Sequence, residues 1–175
     1  GNPVFRQQLQ DFNTWLRANW MTCSDAILDS WNESYFTNAT NFSDNVHPSG
    51  FVLDKIAEMA YRILIRLPQR RSPRTLNIVY DGNSLTAYNN FNPLVPAKIK
   101  PGYAVIQFNY AVSGQTTASM LTDVTTQIDT LANKSKGYNI CVCWEGTNAI
   151  YLGQTVQAAY NDIVTYCQGR RAYGF

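Results

Sequence analysis

Apolar residues recur at helical spacing from the start of the chain: Phe5, Leu9, Phe12, Leu16 and Trp20 fall on one face. Asn2-Pro3 stands just ahead of them, a cap residue followed by proline at the first helical position, so the pattern predicts a helix beginning there. Asp25-Ala26-Ile27-Leu28 reads as a short buried strand, and the polar and aromatic residues 30–49 read as a loop. A second helical repeat, Val52, Ile56, Met59, Ile63 and Leu67, predicts a helix over 50–67 that Pro68 stops.

The period then changes. Residues 68–74, PQRRSPR, hold two prolines and three arginines and no apolar residue, which is linker character. Strands are predicted over 76–80, 104–108 and 139–144. The turn Asp81-Gly82-Asn83-Ser84 follows the first, and residues 88–103 form a loop rich in Asn and Pro. A helix over 117–131 points Met120, Leu121, Val124, Ile128 and Leu131 inward, and another covers 155–167. Strands alternating with helices imply a parallel α/β sheet, in which sites form beyond the carboxyl ends of the strands.

Composition narrows the classes. A chain of 175 residues fits one domain, large enough for a sheet covered by helices on both faces. The net charge of +2 is too small to suggest a nucleic-acid or anionic-membrane partner. Arg70, Arg71 and Arg74, and the pair Arg170–Arg171, read as solvated surface. There is no apolar run of membrane-spanning length and no signal peptide in the sequence. The expectation is a soluble protein, cytoplasmic or secreted after removal of a signal. Cys23, Cys141, Cys143 and Cys167 lack zinc-knuckle spacing and read as small buried hydrophobes, with Cys141 and Cys143 on one strand face. Asn-X-Ser/Thr triplets at Asn32, Asn38, Asn41 and Asn133 arise easily in so Asn-rich a chain.

Three strand ends carry small polar groups: 81–86, 109–116 and 145–148. In a parallel sheet these ends point the same way and can converge on one crevice. Ester hydrolysis needs a hydroxyl nucleophile, a base beside it, and donors aimed at the developing oxyanion. Ser84 sits on a tight Gly-containing turn that exposes its hydroxyl. The N–H groups of Ser84 and Gly114 and the side-chain amide of Asn148 are candidate oxyanion donors. His47 is the chain's single histidine and so the candidate base. Asp44, three residues before it, can fold back onto Nδ1 and fix the tautomer, while Pro48 restricts His47 to extended geometry.

Gly82-Asn83-Ser84-Leu85, Gly114 within Val112-Ser113-Gly114-Gln115-Thr116, Gly146-Thr147-Asn148 and Asp44-Asn45-Val46-His47-Pro48 together resemble the SGNH (GDSL-type) hydrolase superfamily of esterases and lipases. The marks of that family are Gly-Asp-Ser-Leu, a Gly after the second strand, Gly-X-Asn-Asp, and Asp-X-X-His-Pro. The resemblance implies a three-layer α/β/α flavodoxin-like fold and deacylation of esters, thioesters or acetylated sugars, with no metal or organic cofactor. It implies a catalytic triad of Ser84, His47 and Asp44, an oxyanion hole of Ser84, Gly114 and Asn148, and a small-molecule or carbohydrate ester as partner. No long apolar run lies near these motifs, which favours short acyl groups such as acetyl.

Two departures from the family pattern stand out. Asp44 and His47 precede Ser84, whereas the family runs nucleophile first. The order implies a circular permutation, with 1–67 as the family's C-terminal part, 68–74 as linker and 75–175 as its N-terminal part. A strand is also missing between Phe175 and Gly1, although 170–175 looks like the approach to one. Ala149 replaces the acid that often follows the oxyanion Asn. Competing readings are a flavodoxin-like phosphate- or flavin-binding module, with 83–86 as the cradle, and an inactive carbohydrate-binding relative. Taken singly, His47 reads as a surface histidine, Asp44 as a turn residue, Asn148 as a helix cap, Gly114 as a plain turn, and Tyr88, Tyr110 and Trp144 as core.

Overall fold

The computed structural model describes residues 3–19, 49–64, 75–88, 91–99, 103–132 and 138–175. In chain order the elements are α1 (Pro3–Asn19), α2 (Gly50–Leu64), β1 (Thr75–Gly82), α3 (Ser84–Ala87), α4 (Leu94–Lys98), β2 (Ala104–Asn109), α5 (Thr117–Gln127), β3 (Tyr138–Trp144), α6 (Thr147–Tyr151) and α7 (Val156–Tyr173). A short 3₁₀ turn at Asp129–Leu131 extends α5.

The three strands are parallel in the order β2-β1-β3. β1 is buried along nearly its whole length, because it is central and helices cover both its faces. Its side chains alternate. Leu76, Ile78 and Tyr80 join Val52, Ile56, Ala57 and Ala60 of α2, Val95 of α4, and Phe91. Val79 joins Met120 and Val124 of α5, Ile128, and Tyr166 of α7 on the other face. A third cluster ties α1 to α6 and α7 through Phe12, Ala149, Ile150, Ala159, Tyr160 and Ile163. The architecture is mixed α/β with a parallel sheet between helical layers.

The odd-numbered face of β1 also carries Asn77 and Asp81, both buried. Buried polar groups need partners. The Asn77 amide donates to the Leu131 carbonyl at 2.7 Å and to Asn139 Oδ1 at 3.0 Å, pinning β1 to its neighbours. Tyr80, from the other face, donates to Gln107 Oε1 at 2.8 Å.

Several sequence expectations shift. The 88–103 loop contains α4 and buries Phe91 and Val95. The buried face of α2 is Val52, Ile56, Ala57 and Ala60, while Met59 and Ile63 are half-buried, because alanines allow closer approach to the sheet. The helix read as 155–167 runs further: α7 continues through Tyr173 and ends at Gly174, whose φ of 111° gives the left-handed cap. Arg170 is buried, not solvated, with Nε 2.6 Å and a terminal nitrogen 2.8 Å from the two carboxylate oxygens of Asp129. Cys141, Cys143 and Cys167 are half-buried and pack against the cluster around Val79, as small hydrophobes do. The expected strand at 25–28, linker at 68–74 and Cys23 lie outside the described residues. No described strand pairs with the outer edge of β3, and no described helix is long and apolar enough to cross a membrane.

Candidate active site

The carboxyl ends of the three strands are tied together by backbone hydrogen bonds. The Val112 N–H donates to the Gly82 carbonyl at 2.9 Å, bringing the segment after β2 onto β1. The Asn83 N–H donates to the Trp144 carbonyl at 3.3 Å, bringing the end of β3 onto the same turn. Gly82 permits this approach. Its φ is 146°, and a Cβ there would run into the Trp144 carbonyl oxygen.

Ser84 opens α3 and is half-buried. Asn83, wholly buried, caps that helix: its Oδ1 accepts the Leu85 N–H at 2.9 Å. Ser84 therefore stands at the first helical position, directly after the buried cap. Gly114 lies in an exposed turn closed by the Gln115 N–H on the Val112 carbonyl at 3.2 Å. Its φ of 78° at the third position is the one such a turn reserves for glycine. Thr116 then caps α5 in a reciprocal capping box with Ser119.

Asn148, at the start of α6, reaches across to this turn. Its Nδ2 donates to the Gln115 carbonyl at 2.8 Å, which anchors it on the residue after Gly114. Hydrogen bonds between their neighbours thus bring the segments that carry Ser84, Gly114 and Asn148 to the carboxyl ends of the strands. Asp44 and His47 lie outside the described residues. Ala149 is buried in the cluster with Phe12 and Ile163, so this position packs against α1 and α7. Trp144 packs against the cluster around Phe91, Tyr110 against the opposite one, and Tyr88 is exposed.

Two acidic residues beneath the turns had no role in the sequence reading. Asp81 accepts the Tyr166 hydroxyl at 2.7 Å and the Gly82 N–H at 2.8 Å. Burial raises its pKa, opposed by those two hydrogen bonds and by the charge of Arg170. Tyr166 also meets the Cys141 sulfur at 3.5 Å, and burial pushes the Cys141 thiol up to about 12, so it is not a nucleophile at neutral pH. Glu145 is buried at the end of β3 and accepts a hydrogen bond from Asn83 Nδ2. Burial pushes its carboxyl up to about 7, against the opposing pull of the Gly146 N–H, the Asn83 amide and the N–H groups of Ala149 and Asn148. The signal for both was present in the sequence: an acid directly continuing an apolar strand has to be buried or to break the strand.

Fold and site together define an α/β protein with a candidate site at the carboxyl ends of its parallel strands, the usual position for ligands in open parallel sheets. Comparison of the chain with protein-family models, curated proteins and solved structures found no match.

Proposed function

We propose that this protein is a serine ester hydrolase of the SGNH type, acting through an acyl-enzyme on Ser84. His47 takes the Ser84 proton as the hydroxyl attacks the ester carbonyl, then returns it to the leaving alcohol. Asp44 orients His47. The N–H groups of Ser84 and Gly114 and the amide of Asn148 stabilise the oxyanion. Water then attacks the acyl-enzyme with His47 as base and releases the acid. The substrates are short acyl esters, acetyl above all, on a small alcohol or carbohydrate.

The observation that carries this reading is the junction of Asn148 with the Gly114 turn, at the same sheet edge as Ser84. Asn148 has a second amide hydrogen beyond the one given to Gln115, and the Gly114 N–H donates to no described acceptor. Two donors on separate loops are therefore available at the strand ends to serve the oxyanion in this reading. The phosphate-cradle reading is weaker at this edge. Its cradle would be 83–86, where the Leu85 N–H is already taken by Asn83 Oδ1 and the Asn83 amide by the buried Glu145 carboxyl.

The test is hydrolysis of p-nitrophenyl acetate by the wild type and by Ser84→Ala, with fluorophosphonate labelling followed by peptide mapping. The expected result is loss of turnover in Ser84→Ala and label on Ser84 alone. Equal rates in the two proteins, or label elsewhere, would overturn the assignment.

A further inference from the structure

The side chain of Asn83 is shared between two neighbours. Oδ1 caps α3 through Leu85 N–H, and Nδ2 donates to Glu145. Asn83 has no exposed surface and Glu145 is 8% exposed, so water does not compete for either group. Asn83 directly precedes Ser84. Glu145 directly precedes Gly146 and lies three residues before Asn148. The contact therefore bridges the nucleophile turn and the turn bearing the oxyanion amide, across the end of the β1–β3 pair. A second bridge runs alongside it in the backbone, from the Asn83 N–H to the Trp144 carbonyl.

We infer that Glu145 is a positioning residue that clamps Asn83 and so sets Ser84 against the Asn148 turn; this rests on the hydrolase reading given above. Glu145 touches neither substrate nor reacting atoms in this role. It supplies an acceptor that only an amide or other donor at position 83 can use. That accounts for asparagine in the Gly-Asn-Ser-Leu turn. An aspartate at position 83 would still cap α3 but would set one carboxylate against another in a site closed to water. The clamp also has to be rigid. Displacement of a catalytic group by about 1 Å costs on the order of 100-fold in rate.

The experiment compares Glu145→Ala, Glu145→Gln and Asn83→Asp with wild type in two measurements. The first is steady-state hydrolysis of p-nitrophenyl acetate. The second is the backbone amide spectrum of the ¹⁵N-labelled protein, which reads the turn without requiring turnover. Glu145→Ala and Asn83→Asp are each expected to lower kcat by about 10- to 100-fold with KM little changed, and to shift the Ser84, Leu85 and Asn148 amides. Glu145→Gln keeps an oxygen acceptor, so it is expected to retain most of the wild-type kcat and those amide positions. Should Glu145→Ala not fold, Asn83→Asp and Glu145→Gln carry the comparison. Wild-type amide positions for Ser84 and Leu85 in Glu145→Ala or Asn83→Asp would overturn the clamp, as would a Glu145→Gln variant as impaired as Glu145→Ala. A wild type without Ser84-dependent turnover would overturn the hydrolase reading, and the amide spectra would still decide the clamp.

Discussion

The ring of Phe12 occupies the space beside Gly146 that any larger residue there would need. A Cβ on residue 146 would come within 2.6 Å of two ring carbons, and the φ of Gly146 is 120°. Phe12 is buried on α1, far in sequence from the loop it braces. The first helix is thus part of the support beneath Glu145 and Asn148. Gly146→Ala meets both a steric and a conformational penalty, and a loss of about 2–4 kcal/mol in urea unfolding is expected. Phe12→Ala removes the brace and leaves a cavity; the expected loss is about 3–5 kcal/mol. Stability unchanged in both variants would show that α1 does not bear on this loop.

Asn148→Ala removes the proposed oxyanion donor and its bond to Gln115 while leaving the packed Ala149 and Ile150 in place. A fall in kcat of roughly 10²–10³ is expected, with a change in unfolding free energy of about 1 kcal/mol. A loss confined to stability, with kcat per folded molecule preserved, would remove Asn148 from the oxyanion role.

Glu145 links stability to pH, and the direction follows from its raised pKa. Below the ordinary value of 4.5 the carboxyl is protonated in both folded and unfolded chains, and its contribution is fully present. Between 4.5 and about 7 the unfolded chain has released the proton while the folded one still holds it, so each step up in pH favours unfolding. Above about 7 the loss is complete. Relative to Glu145→Gln, which does not titrate, the wild type should lose about 3 kcal/mol between pH 4.5 and 8. Parallel stability profiles for the two proteins would contradict this.

The Asp129–Arg170 pair joins the end of α5 to α7 away from the candidate site. Arg170 also lies over the Tyr166 ring, 5.1 Å from its centre. Arg170→Ala leaves Asp129 buried without its counter-charge and is expected to cost about 3–5 kcal/mol. The double substitution Asp129→Leu with Arg170→Met should recover most of that, because it removes both desolvation penalties together. Chemical denaturation of the three variants reads both effects, and a double variant no better than the single one would argue against a buried pair.

The three strands and the two long helices along 75–175 were legible because period and local chemistry agree there, whereas α4 was not. β1 is mostly apolar and ends at a glycine turn, and Thr116 and Thr155 cap the long helices. The helical face of α1 was legible in the same way, and Phe12 is indeed buried. The turns bearing Ser84, Gly114 and Asn148 were also legible, since a parallel sheet sends all its strand ends one way. What failed was reading charge as surface. Arg170 looked solvated beside Arg171, yet its partner Asp129 lies 41 residues away, and no local pattern announces such a pairing. The roles of Glu145 and Asp81 were missed for the same reason, since Asn83 and Tyr166 reach them from other elements.

By itself the sequence determined the three strands, their parallel sense and the long helices between them, because these follow from side-chain periodicity and from what each turn requires of its residues. Tertiary structure alone decided which polar groups are buried, which partner each takes, and that a helix from the first residues braces the Gly146 turn. Those outcomes depend on contacts between segments distant along the chain, and burial makes such contacts strong by excluding the water that would otherwise satisfy each group alone.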